Sequence, residues 1–250
     1  MSNWTTAKII KIKKWTEQLF TVFMTANIDD FIPGQFSKIS ILTDSKKRIQ
    51  RAYSYVNPPN NNILEFYISR ISEGCLSPTL YSLKPKDKVF ITKKSFGCFT
   101  LNNIISCKIL WMIATGTAIG PYLSILQQKS KEVKKFKHII LIHAVRYSQD
   151  LTYLNTIKKL ENMYHGKLIF KSIISREKIK ESLFGRIPYL LLTKQLEKSV
   201  NYFISPHTSH VMLCGNPNMV KETCYILQNK YNMTKNFKTN HGNISSENYW

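Results

Sequence analysis

The chain has 250 residues, enough for one large domain or two of ordinary size, and 43% of them are hydrophobic, which supports a packed core. No window approaches the roughly 18 uninterrupted apolar residues of a membrane span. No basic-then-apolar leader follows Met1, and five cysteines without CxxC or Cys/His spacing argue against zinc and fit the reduced thiols of a cytoplasmic protein. The formal net charge of +21 favours an acidic partner. The basic runs at 11–14, 46–48, 129–137 and 158–159 are not interleaved with aromatics, so a nucleic-acid groove is not expected.

The first hundred residues read as short strands. Residues 7–13 alternate, 18–26 are rich in Thr, Val and Phe, and 36–43 alternate again; 51–56, 62–71 and 87–92 complete six predicted strands. Turn chemistry separates them at Ile32-Pro33-Gly34, at Asn57-Pro58-Pro59-Asn60-Asn61 and at Lys84-Pro85-Lys86-Asp87. Regular short strands with little helical periodicity predict an antiparallel six-stranded β-barrel. One short helix is predicted over 77–82, with Ser77 as its cap and Pro78 in its first turn.

Beyond residue 106 the order becomes strand, loop, helix. Residues 108–114, 138–143, 168–174 and 210–214 are apolar strands, and 121–128, 151–164, 189–198 and 218–230 have helical character. This alternation predicts a parallel α/β sheet, with ligands at the carboxyl ends of its strands. The fold class is therefore a two-domain α/β protein, with domains 1–101 and 106–250.

Six arginines stand among thirty lysines, and four of them mark candidate phosphate sites: Arg51, Arg146, Arg176 and Arg186. Arginine is a rigid fork that grips phosphate at two points, whereas lysine is a flexible point charge. Between them lies Ala114-Thr115-Gly116-Thr117-Ala118-Ile119-Gly120-Pro121, a glycine-bearing turn ahead of a helix. Such a turn brings backbone N–H groups close to a ligand, although strand-to-helix turns also use glycine for packing alone. It is neither a Walker A motif nor a full GxGxxG. Cys214-Gly215-Asn216-Pro217 again joins a strand to a helix. Cys214 reads first as a buried core thiol and only second as a site residue, and no spacing with His143 or His210 supports a Cys–His pair. On a strand, alternation sends Arg51 and Tyr53 to one face and Ala52 and Ser54 to the other.

Taken in order, Arg51-Ala52-Tyr53-Ser54, the 114–121 turn, His143–Arg146 with Asp150-Leu151-Thr152-Tyr153, Leu213–Pro217 with Met219, and the aromatic ending Glu247-Asn248-Tyr249-Trp250 resemble the bacterial ferredoxin (flavodoxin)–NADP reductases over essentially the whole chain. The resemblance implies a flavin-binding barrel at 1–101, with FAD held non-covalently, followed by an NADP-binding α/β domain at 106–250. It implies that Arg51 holds the FAD diphosphate, that Tyr53 packs on the flavin ring, and that the Ser54 hydroxyl points toward flavin N5. Ala52, Tyr67, Ile68, Ser69, Arg70, Cys75, Leu76, Ser77 and Thr117 correspond to further flavin contacts, with Tyr249 and Trp250 covering the cofactor. Arg70 and Cys75 depart from the Thr or Lys expected there and leave the adenine-side contacts open. On the NADP side the match implies Val145, Arg146, Ser175, Arg176 and Arg186, the last two holding the 2′-phosphate, with Gly215, Asn216 and Pro217 beside the nicotinamide. Ser54, Tyr53 and Cys214 are then the candidate catalytic residues, Cys214 adjoining hydride transfer without acting as nucleophile or base. The implied activity moves electrons between NADPH and acidic flavodoxin or ferredoxin, from a monomer. A flavin or quinone reductase on the same fold remains the alternative.

Overall fold

The protein is described by a computed structural model covering residues 3–43, 45–104, 107–237 and 239–249. It forms two compact units, one from residues 1–100 with 120–128, the other from 101–119 with 129–250.

The first unit contains β1 (Trp4–Lys14), β2 (Leu19–Thr25), β3 (Phe36–Leu42), β4 (Arg48–Ser54), β5 (Leu64–Ser69) and β6 (Lys88–Thr92), with α1 (Ser77–Ser82) and α2 (Gly120–Gln128). All pairings are antiparallel, in the order β4-β3-β6-β1-β2-β5, and a bridge between Tyr55 and Phe66 links the two edge strands into a barrel. The two-residue period points Ile9, Phe20, Val22, Met24, Ile39, Phe66, Ile68 and Ile91 into one core. A bulge between Ile9 and Lys11 shifts the register of β1, which is why Ile10 and Lys11 are both exposed between the inward Ile9 and Ile12. Tyr55 is fully buried, stacked on Phe31 at 3.8 Å, and its hydroxyl meets Ser37 and Ser95. Gly34 sits at φ +100° with the Phe99 carbonyl where a Cβ would stand, so only glycine fits.

α2 packs on this unit through the segment that follows β4. Ser124 Oγ donates to the Asn57 carbonyl at 2.7 Å and Gln127 Nε2 to the Val56 carbonyl at 2.8 Å. α1 has the predicted extent, but Ser77 is its first residue and not its cap. Leu76 holds the cap position, and Ser77 Oγ instead accepts the Ile71 N–H at 3.0 Å, closing the loop before the helix.

The basic run at 11–14 is interleaved with aromatics in space, contrary to its sequence. Lys11 lies over Phe23, Lys13 over Trp15 and Lys14 over Tyr81, at 4.5, 3.4 and 4.1 Å, because partner rings come from β2, the hairpin and α1. The two arginines without an expected phosphate role are stacked as well: Arg48 on Trp4 and Phe90, and Arg70 on Tyr81.

The second unit has β7 (Ile109–Thr115), β8 (His138–Val145), β9 (Leu168–Ile174), β10 (Leu183–Phe184), β11 (Ser209–Gly215) and β12 (Ile244–Asn248), all parallel, in the order β10-β9-β8-β7-β11-β12. Its helices are α3 (Lys131–Lys134), α4 (Leu154–Met163), α5 (Ile187–Leu192), α6 (Gln195–Val200) and α7 (Pro217–Tyr231). Trp111, Ile113, Ile140, Ile142, Val211 and Leu213 pack on one face of the sheet against Leu190 and Leu191 of α5, Leu196 of α6 and Leu227 of α7.

Three sequence expectations are corrected here. The helix expected at 189–198 is two helices, broken where Lys194 turns left-handed at φ 59°. α4 begins at Leu154 and not at Leu151, because Ser148–Asp150 form a separate 3₁₀ turn and Tyr153 is left-handed. The 115–120 loop is a 3₁₀ turn over Gly116–Ile119. β10, β12 and α3 had no counterpart in the pattern.

Lys194 also closes a buried network. Its Nζ lies 3.0 Å from the fully buried Glu197 carboxylate, which accepts the Ile204 N–H at 2.8 Å and the Tyr231 hydroxyl at 2.7 Å. Among the described residues no helix is long and apolar enough to cross a membrane.

Candidate functional site

The strand order reverses between β7 and β11: the chain runs β7, β8, β9, β10 toward one edge and returns to the other side of β7. In an open parallel sheet that reversal leaves a crevice at the carboxyl ends of the two central strands. β7 ends at Thr115-Gly116 and β11 at Cys214-Gly215, so both glycine-bearing segments meet there. Gly215 has φ +132° and lies so close to β7 that a Cβ would run into the Thr115 hydroxyl. Thr115 Oγ1 accepts the Asn216 N–H at 2.8 Å and ties the two strand ends together. Gly116, at φ +55°, has nothing within 4 Å of where a Cβ would stand, which leaves its backbone open to a ligand. Thr117 is buried in the turn that follows.

Three of the four phosphate-type arginines sit on consecutive strand ends of this sheet. Val145 pairs with Ile174, and Ile174 with Phe184, so β8, β9 and β10 finish level. Arg146 and Arg176 follow directly, the Arg176 N–H bonding the Arg146 carbonyl at 3.0 Å and the Ser175 N–H bonding the Val145 carbonyl at 3.1 Å. Gly185, bonded to the Ile174 carbonyl at 3.1 Å, delivers Arg186 just ahead of α5. All three guanidinium-bearing residues are exposed. Arg176 is partly preorganised, since it donates to the Tyr147 hydroxyl at 3.3 Å and lies over that ring. The Tyr147 N–H is held by Asp150, and the Ser148 N–H by Glu177, whose carboxyl is pulled below its usual range by its bonds with the Ser148 backbone and side chain. The donor set fits a phosphate-bearing dinucleotide, with planar cations along one edge and bare backbone at the switch point. Among the described residues no cluster of three His, Cys, Asp or Glu could hold a metal ion.

Cys214 is fully buried in β11. Burial, then the neighbouring Glu247 carboxylate, push its thiol well above the ordinary range, against a hydrogen bond with Tyr249. It is therefore an un-ionised thiol. Tyr249 reaches it because β12 pairs with β11, setting Glu247 opposite Cys214 and bringing the Tyr249 N–H to the Gly215 carbonyl at 2.9 Å. Trp250 lies outside the described residues. The Asn216 side chain caps α7, accepting the N–H groups of Asn218 and Met219, and Pro217 starts that helix.

On the barrel, Arg51 stands opposite Ile39 and Tyr53 opposite Ser37 across β3, with Ala52 and Ser54 opposite Lys38 and Phe36. Arg51 is exposed, Tyr53 half-buried and Ser54 buried. Burial raises the Tyr53 hydroxyl to about 12, outweighing the opposing Arg51 charge, so the ring is neutral. The Tyr55–Phe66 bridge makes Ser54 and Tyr67 next neighbours across the closing edge. Ile68 and Leu76 belong to the barrel core, so only their backbones are open to a ligand. Ser69 is half-buried, and Arg70 and Cys75 are exposed near α1. A cation, an aromatic face and hydroxyls on adjacent strand ends suit a flavin nucleotide.

Sequence reasoning gave no role to Tyr147, and quoted Thr115, His143 and Glu247 only as members of motifs. Tyr147 could have been found from its place between Arg146 and Asp150. What the other three touch lies distant in sequence, so the motifs that contain them do not show those contacts.

A barrel with these groups and a parallel sheet with a phosphate-type strand edge define the class of two-unit flavin- and nicotinamide-dependent reductases. Residues 112–225 match the oxidoreductase NAD-binding domain family. The chain is 56% identical over 250 residues, all of both chains, to the flavodoxin/ferredoxin–NADP reductase of Buchnera aphidicola subsp. Baizongia pistaciae. It is 45% identical, again end to end, to that of Escherichia coli K12. A ferredoxin NADP+ reductase from Neisseria gonorrhoeae, solved with bound FAD and NADP, superposes with a TM-score of 0.93 at 28% identity, each chain fully covered. The chain belongs to the flavodoxin/ferredoxin–NADP reductase family.

Proposed function

We propose that the protein is an FAD-dependent oxidoreductase that moves electrons between NADPH and flavodoxin or ferredoxin. The observation that carries this reading is the placement of Arg146, Arg176 and Arg186 on three adjacent strand ends of the sheet whose switch point holds the Gly116 turn and Gly215. FAD is assigned to the barrel domain, residues 1–101, and NADP to the α/β domain, residues 106–250, with α2 packed on the barrel. Bound FAD and NADPH supply the hydride and electron chemistry themselves. The protein's part is to bind, orient and exclude water.

Arg176 and Arg186 take the 2′-phosphate, Arg176 steadied by Tyr147, while Val145, Arg146 and Ser175 line the same edge. Gly215, Asn216 and Pro217 border the nicotinamide with Cys214, whose protonated thiol adds no charge beside a transferring hydride. Arg51 holds the FAD diphosphate, Tyr53 packs its neutral ring on the flavin, and Ser54 offers its hydroxyl near N5. By the resemblance, Ala52, Tyr67, Ile68, Ser69, Arg70, Cys75, Leu76, Ser77, Thr117, Tyr249 and Trp250 are also assigned to the flavin. The carrier is acidic, drawn to a chain of net charge +21, and the enzyme works as a cytoplasmic monomer.

The test is a visible spectrum of the purified protein before and after NADPH without air, followed by cytochrome c reduction with and without added flavodoxin. Flavin bands that bleach with NADPH, and reduction that needs the carrier and weakens with salt, are expected. A colourless protein that cannot be reconstituted with FAD would overturn the assignment. Equal rates without a carrier would shift it to a flavin or quinone reductase.

A further inference from the structure

β8 reads His-Ile-Ile-Leu-Ile-His-Ala-Val, and its interior is apolar except at His143. That side chain is fully buried, between Ala114 of β7 and Ser172 of β9 in register. Its Nε2 lies 2.9 Å from the Gly116 carbonyl oxygen, while Nδ1 is buried with no hydrogen-bond partner among the described residues. A carbonyl can only accept, so Nε2 carries the hydrogen and Nδ1 is a bare lone pair. Burial lowers the ring to a pKa of about 4, so it stays neutral near neutral pH.

A leucine would fill this position without stranding a buried acceptor, so stability is a poor reason for a histidine here. Its one hydrogen bond goes to the residue that begins the switch-point turn. A trans peptide is planar, with its carbonyl and the next N–H pointing opposite ways. Drawing the Gly116 carbonyl toward β8 therefore turns the Thr117 N–H away from β8. Thr115, bonded by the Asn216 N–H, fixes the residue just before. Gly116, left-handed and without a Cβ, has the freest backbone in the segment and most needs an external tie.

We propose that His143 is a positioning residue for the nicotinamide end of the site: its Nε2–H···O=C bond to Gly116 sets the orientation of the Gly116–Thr117 peptide at the switch point. The idea rests on the reading of that turn as the nicotinamide loop. It places the control of ring position in a side chain that touches neither cofactor.

The test compares His143→Leu with His143→Gln, whose amide can reach the same carbonyl, in the full FAD-loaded protein. In wild type, ¹⁵N spectra should show His143 protonated on Nε2 only. In His143→Leu, amide exchange over residues 116–119 should speed up, and NADPH turnover should fall about 10- to 100-fold, as small misplacements of reacting groups do. The dissociation constant for 2′,5′-ADP, which reaches only the arginine edge, should stay within about twofold, a split between remote binding and turnover. His143→Gln should recover most of the turnover. If leucine fails to fold, His143→Asn, too short to reach the carbonyl, takes its place. A proton on Nδ1, unchanged exchange and turnover in the leucine variant, or equal damage from leucine and glutamine would each overturn the proposal. If wild type itself oxidises no NADPH, the functional reading fails, while tautomer and exchange still decide whether His143 holds the turn.

Discussion

Replacing Arg176 and Arg186 together by alanine tests the phosphate edge most directly. Both side chains are exposed and stand on strand ends that finish level, so neither substitution opens a cavity or unpairs a strand. A hydrogen bond to a charged group contributes about 1.5–3 kcal/mol, and exposure to water and salt reduces that to about 1–2 for each arginine. The pair then gives about 2–4 kcal/mol, or roughly 30- to 1,000-fold in kcat/KM for NADPH. NADH lacks the 2′-phosphate and should lose far less, so the ratio of the two kcat/KM values carries the result. Arg176→Ala alone should cost more than Arg176→Lys, because lysine keeps the positive charge and loses only the planar fork with its tie to Tyr147. Equal losses for NADPH and NADH would show that these arginines do not read the 2′-phosphate.

Glu197→Ala strands the buried Ile204 N–H and removes the Tyr231 and Lys194 contacts; urea unfolding should show a loss of about 3–5 kcal/mol, and a loss under about 1 would refute a structural role for the network. Burial raises the Glu247 carboxyl to about 7, so folding favours its protonated form; the unfolded chain ionises first, and stability falls as pH rises from about 4.5 to 7. Glu247→Gln should remove that slope and stabilise the protein at pH 8 by about 1–3 kcal/mol, little changing it at pH 4.5; a wild-type slope of the opposite sign would contradict the burial argument. Ser54→Ala should slow single-turnover flavin reduction by about tenfold or more while FAD stays bound, and an unchanged rate would remove Ser54 from the reacting centre.

How much of this was legible in the chain depends on how far each feature reaches. The six barrel strands and the alternation of strands and helices could be read because hydrophobic period is local: Ile9 and Ala7 point inward by position alone, as do the apolar runs of β7, β8 and β11. Arg146 and Arg176 were legible as strand-end residues, since each follows an apolar run, whereas Arg186 stood out only as an arginine, because the two-residue β10 that places it exists only by pairing with β9. β12 was not, because Ile-Ser-Ser-Glu-Asn has neither alternation nor β-branched richness, and only pairing with β11 makes it a strand. The break between α5 and α6 was hidden in the same way, Lys194 being turned left-handed where Glu197 draws its ammonium inward.

Sequence by itself determined which residues carry phosphate-type chemistry, the order of the elements and the two-part grammar, because these follow from side-chain type and spacing. Tertiary structure alone decided that α2, contiguous with the sheet, packs on the barrel; that Lys11 and Lys14 lie on rings from β2 and α1; and that His143 holds the Gly116 carbonyl. Each of these is a contact between segments far apart along the chain, and local periodicity holds no record of such partners.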